Sequence, residues 1–125
     1  MKKISTAKEV QAADNYAINQ CGIPSIVLME NAGIRCADII LKRFPNCLKK
    51  KITIVSGRGN NGGDGIVIAR NFFNRGANIQ ILLIGERKSL KKDVQINLDT
   101  AIKIGIPILE VNESNIKSCQ HILNH

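Results

Sequence analysis

The chain has no tryptophan, one tyrosine and three phenylalanines among its 125 residues. Single-stranded nucleic acids are held largely by stacking bases on aromatic faces, so this poverty argues against a dedicated nucleic-acid binder. No Cys-x-x-Cys pair occurs, and none of Cys21, Cys36, Cys47 and Cys119 has a histidine at zinc spacing, which argues against a structural zinc site. No apolar run approaches the ~18 residues of a membrane-spanning helix. The start, Met1-Lys2-Lys3-Ile4-Ser5, lacks the apolar stretch of a secretory leader. Reduced cysteines and a cytoplasmic location are therefore expected, with Cys36 and Cys119 read as core thiols. Acidic residues are also scarce: 10 Asp and Glu against 18 Lys and Arg leave a net charge of +8. That excess fits a phosphorylated ligand or an anionic surface as well as nucleic acid, and most of it reads as solvated side chains.

What is present fits one domain with a packed core. Ser5 or Thr6 can cap a helix running to about Gln20, with Val10, Ala13, Ala17 and Ile18 on one face and Gly22 just beyond. Pro24 opens a second helix, Ser25 to about Phe44, whose apolar residues recur every three or four positions until Pro45. A β-branched strand from Lys51 to Ser56 follows, then a glycine-rich segment and a helix to Arg75. Ile79 to Ile84 reads as a strand, Leu90 to Ile104 as a helix, and Ile106 to Val111 as a third strand. Asn112 to Lys117 is expected as loop or short helix, and Cys119 to His125 as the opening of a fourth strand. This alternation implies a parallel sheet with helices on both faces.

The segment Gly57-Arg58-Gly59-Asn60-Asn61-Gly62-Gly63-Asp64-Gly65 carries the chemistry. Five glycines in nine positions permit positive φ and close approach of a ligand to the main chain. Its place between a strand and a helix suits an anion on the helix N-terminus. The spacing Gly57-x-Gly59-x-x-Gly62 also satisfies the dinucleotide fingerprint, with Glu86 placed to meet a ribose. A P-loop is excluded, because Gly-Lys-Ser/Thr is absent and Asp64 puts a negative charge where phosphate would sit. Asn oxygens suit a hard cation, their amide groups suit phosphate, and a carboxylate suits ribose hydroxyls.

The run Gly57 to Gly65, with Ser25-Ile26-Val27-Leu28-Met29-Glu30-Asn31-Ala32-Gly33 upstream, resembles the YjeF N-terminal domain family of NAD(P)H-hydrate epimerases. The resemblance extends from Ser5 onward and implies a three-layer αβα Rossmann-like parallel sheet preceded by two N-terminal helices. Residues 1–125 would be the N-terminal part of one such domain, incomplete on its C-terminal side. The implied activity is interconversion of the R and S hydrates of NADH and NADPH, a repair of damaged cofactor. By resemblance, Asn60, Asn61, Gly62, Gly63 and Asp64 bind the hydrate, and Asn61 also binds a potassium ion. Spacing alone turns Glu30 and Asn31 to solvent, whereas the resemblance puts Asn31 near substrate.

The family's catalytic Lys lies in the loop after the second strand, which selects Lys88, with Lys91 as competitor. Its catalytic Asp ends the fourth strand, a position that falls at His125 or just beyond, so that Asp is not found in this chain. Family habits also imply a second copy of the chain as partner, and an ATP- or ADP-dependent NAD(P)H-hydrate dehydratase, fused or separate. Two other expectations stay open: a non-catalytic binding and dimerisation module, and a decayed gene product. The sequence does not choose between NADH hydrate and NADPH hydrate.

Overall fold

The computed structural model describes residues 4–123. Helix α1, Ala7–Asn19, starts where Thr6 Oγ1 accepts the Glu9 amide at 3.1 Å, satisfying one of the free donors of a first turn. Helix α2, Ser25–Arg43, begins after Pro24 and ends at Phe44, immediately before Pro45. Strand β1, Lys51–Ser56, leads through a three-residue turn into α3, Asn60–Asn74. Strand β2, Asn78–Ile84, is followed by α4, Lys92–Ile104. Helix α4 stops at Gly105, whose φ of 99° disfavours any residue with a side chain. Strand β3, Ile108–Val111, and helix α5, Ile116–Leu123, complete the described chain.

The three strands pair in parallel in the order β1-β2-β3, with Ile54, Ile81 and Ile108 in register. Both crossovers step the same way along the sheet, so right-handed connections place α3 and α4 on one face. That face holds the main core. Ile66 and Phe72 of α3, Leu98 of α4, and Ile81 and Leu83 of β2 are all fully buried there. Each such side chain contributes about 1.5–3 kcal/mol by leaving water. Helix α2 packs outside α3, and Gly33 makes that approach possible: a Cβ there would collide with the Val67 side chain.

The opposite face carries Leu82 and Val111, which cluster with Cys119 of α5. Helices therefore flank the sheet on both sides, although α5 leaves Val55 57% exposed.

Several expectations are corrected. Cys119 to Leu123 is helix, not the opening of a fourth strand. The cause is local: Asn112 Oδ1 accepts the Ser114 and Asn115 amides at 3.0 and 3.1 Å, folding a turn that starts a helix. Asn124 and His125 lie outside the described residues, so the position expected for the catalytic Asp does too. Ile106 and Pro107 precede β3 rather than opening it, although the Pro107 carbonyl accepts from the Ile81 amide at 2.9 Å. Cys36 is exposed on α2, whereas Cys119 is buried as expected. No residue of α1 is buried, so its apolar stripe serves something other than the core.

Candidate functional site

The glycine-rich segment is mostly helix. Only Gly57 to Gly59 form the turn, while Asn60, Asn61, Gly62, Gly63 and Asp64 make the opening of α3. None of its glycines has positive φ, which corrects the reading that they provide left-handed backbone. Several provide space instead. A Cβ on Gly62 would overlap the Gly57 carbonyl, and one on Gly63 would fall 2.5 Å from the Met29 sulfur. Gly57 and Gly59 face open space, which leaves the main chain there uncovered.

The turn is held from below by Ser56, fully buried, whose hydroxyl donates to the Gly62 carbonyl at 3.1 Å. The Gly63 amide closes the first helical bond onto the Gly59 carbonyl at 3.2 Å. Amides of a helix's first residues have no partner within the helix, so those of residues 60–62 are available to an anion.

Two cavities meet at this point. One, about 430 Å³, is lined by Val55, Gly57, Gly59, Asn60, Asn61 and Gly62, at the carboxyl end of β1. The other, about 410 Å³, lies between α1, α2 and the start of α3, with Asp14 and Ile18 on one wall and Asn60, Asn61 and Asp64 on another. Asn60 and Asn61 thus border both.

The stripe of α1 that covers no core forms this wall: Val10, Asp14 and Ile18 recur at four-residue spacing and all line the second cavity. Asp14 was missed from the sequence, although a carboxylate centred between two apolar residues on the inward face was the available sign. Burial, and then the charge of Asp14, hold the Asp64 carboxyl above its ordinary value of 3.8. The folded chain accordingly keeps this proton to higher pH than the unfolded chain. Asp64 favours folding below pH 3.8 and opposes it once pH rises through the folded value. Asp64→Asn is therefore expected to raise the melting temperature at pH 7, by an amount that shrinks as pH falls toward about 4. Thermal melts across that range test it, and a gain independent of pH would locate the effect elsewhere.

The remaining candidates are placed apart. Asn31 is exposed on α2 and lines neither cavity, although its neighbours Leu28, Met29 and Ala32 line the second. Lys88 follows β2 with its side chain 84% exposed, its Nζ 3.2 Å from a Glu86 oxygen. It lines neither cavity, and Lys91 is likewise exposed. Glu30 does not face solvent alone. Arg70 Nη1 of α3 donates to it at 2.8 Å and to Asn97 of α4 at 2.9 Å, tying three helices together. Among the described residues, no cluster of three or more His, Cys, Asp or Glu could hold a metal ion, and no helix is long and apolar enough to cross a membrane.

The family model of the YjeF-related protein N-terminus matches residues 25–122, which include the second helix, the Gly57–Gly59 turn with the Asn60–Asp64 opening of α3, and all three strands. The chain belongs to this family. It is 45% identical over 105 residues to an NAD(P)H-hydrate epimerase of Limosilactobacillus reuteri (strain ATCC 55730 / SD2112), covering 84% of this chain and 49% of that protein. It is 41% identical over 105 residues to the bifunctional NAD(P)H-hydrate repair enzyme Nnr of Moorella thermoacetica, covering 83% of this chain and 20% of that protein. The crystal structure of yeast YNL200c superposes with a TM-score of 0.76 at 27% identity, covering 91% of this chain and 49% of the yeast chain. The chain thus spans about half the length of the epimerases it matches.

Proposed function

We propose that this YjeF-N chain binds hydrated NADH and NADPH and serves in the interconversion of their R and S forms. The observation that carries the reading is the turn after β1. Two asparagines and free helix-start amides border a cavity whose floor is stripped of side chains at Gly57 and Gly59. Relatives named NAD(P)H-hydrate epimerase, at 38–45% identity, support the same reading.

In this proposal the amides of residues 60–62 receive the pyrophosphate, and the side chains of Asn60, Asn61 and Asp64 orient the hydrated nucleotide. The donors also fit a potassium ion. Asn61 brings a neutral amide oxygen to the cavity wall, the ligand type that hard cations prefer. Asn61 would hold the ion, whose chemistry is to neutralise ligand oxygens.

Epimerisation requires the hydroxyl on the hydrated carbon to depart and return on the opposite face, or the ring to open and close. In the first route a proton reaches the departing oxygen, water leaves, water returns and the proton is given back. Lys88 is the proposed holder of that proton at Nζ. It stands beyond β2 at the same carboxyl edge of the parallel sheet as Asn60, and reaching substrate requires exchanging its Glu86 partner. Asn31 is proposed to approach substrate from α2. An ATP- or ADP-dependent dehydratase is the proposed partner in the same repair, and the Moorella relative is named as a bifunctional repair enzyme.

The test is calorimetric binding of hydrated NADPH to this chain with and without potassium, alongside turnover of an R-enriched hydrate. Asn61→Ala should weaken binding about tenfold and remove its potassium dependence, as loss of one hydrogen bond to a charged ligand implies. Lys88→Ala should lower turnover by about 10²-fold or more with binding preserved. Unchanged binding in the first variant would take Asn61 out of the site; unchanged turnover in the second would move the proton to another group.

A further inference from the structure

Arg58 lies between the two glycines that line the first cavity, and its side chain leaves the β1–α3 turn to cross to the end of β2. There it rests on Gly85. A Cβ at position 85 would sit 2.8 Å from Arg58 Cδ and 3.0 Å from Cγ, so a residue with a side chain would push the arginine off. Gly85 also has φ of 107°, a conformation that excludes most other residues independently. The backbone and the packing therefore both call for glycine at 85, and the Arg58 stem lies over the carboxyl end of β2 in the space that glycine leaves.

The charges around it are already matched. Arg87 Nε lies 2.6 Å from a Glu110 carboxylate oxygen, and Lys88 occupies the Glu86 carboxylate. Among the described residues, no carboxylate pairs with Arg58. Its guanidinium is an exposed cation held in place by its own stem, a forked donor suited to two phosphate oxygens.

In sheets that bind dinucleotides beside the first strand-to-helix turn, the residue after the second strand meets the ribose. An acid there accepts from the 2′-hydroxyl, and an arginine nearby accommodates a 2′-phosphate. Here the acid, Glu86, pairs with Lys88 in this structure, and the turn itself supplies a cation that has no such partner among the described residues. We infer that Arg58, seated on Gly85, binds the 2′-phosphate of the nucleotide and biases the site toward hydrated NADPH over hydrated NADH. This inference rests on the dinucleotide reading above and adds to it the form of the substrate.

Titration of the chain with 2′,5′-ADP and with 5′-ADP at low ionic strength tests it, because both probes carry two phosphate groups and only one places phosphate on the 2′-oxygen. The expected result is about tenfold tighter binding of 2′,5′-ADP, with Arg58→Ala bringing the two within about twofold and Arg58→Lys in between. Equal binding in the unmodified chain, or a preference that survives Arg58→Ala, overturns the assignment. Hydrated NADPH and hydrated NADH are titrated in parallel. If both hydrates bind and the adenylates show no preference, the dinucleotide reading stands and the role of Arg58 falls. If neither hydrate binds, both fall together.

Discussion

Gly62→Ala is expected to lower the stability of the chain by about 3 kcal/mol, toward the upper end for overpacking, and to abolish ligand binding with it. The added methyl would occupy the space of the Gly57 carbonyl, and the nearest obstacles are the backbone C, N and O of residue 57. Backbone cannot rotate aside as a side chain can. Either α3 must move away from the end of β1, breaking the Ser56 bond to the Gly62 carbonyl, or the 57–59 turn must refold. Both displace Asn60 and Asn61 from the cavity wall.

Two neighbours serve as controls. The nearest obstacles to Gly63→Ala are side-chain atoms, the Met29 sulfur and methyl and a Val94 methyl, which can yield, so its cost should be smaller. Gly59→Ala has φ of −87° and nothing within 4 Å, so the fold should tolerate it within about 0.5 kcal/mol while a ligand is obstructed. Thermal melts and hydrate titrations of the three variants would establish the order. Equal stability of the alanine variants at 59 and 62 would show that the turn is not the rigid element described here.

Arg70→Met should cost about 2–3 kcal/mol, seen as a fall in melting temperature of roughly 10 °C. Arg70 Nη1 serves Glu30 and Asn97 together, and Asn97 is 3% exposed. Its amide nitrogen keeps the Asp93 carbonyl at 3.1 Å, but its carbonyl oxygen would lose the only donor found for it among the described residues. A buried acceptor without a partner accounts for most of the cost. Glu30, with its side chain 39% exposed, would regain water on losing the arginine, so Glu30→Gln should cost well under half as much. If the two variants proved equal, the strength would lie in the ion pair instead. Because Met29 and Asp93, which flank this network, line the second cavity, Arg70→Met should also weaken hydrate binding.

The elements most legible in sequence were those whose cause is local. Periodicity at three and four residues, with Pro24, Pro45 and Gly105 as punctuation, placed α2 and α4 to within about two residues. Alternating strands and helices specified a parallel sheet, and its three strands are where β-branched and apolar runs occur. The fourth-strand expectation failed because Ile122-Leu123 is too short an apolar run to distinguish strand from helix. The Asn112 turn upstream then decided for helix.

The candidate site divides in the same way. The residue types and spacing of Asn60, Asn61 and Asp64 sufficed to single out this segment as the candidate site and, by resemblance, its family. Tertiary structure decided the rest, because packing brings together residues that are remote in sequence. It showed that the glycines are there to avoid Met29 and the Gly57 carbonyl, that Asp14 of an otherwise unburied helix faces Asp64, and that Arg58 lies on Gly85. Sequence by itself determined the order of elements and the chemistry carried on one turn, since both depend on near neighbours. Which distant side chains surround that turn depended on how α1, α2 and β2 pack about it, and no local pattern encodes those distances.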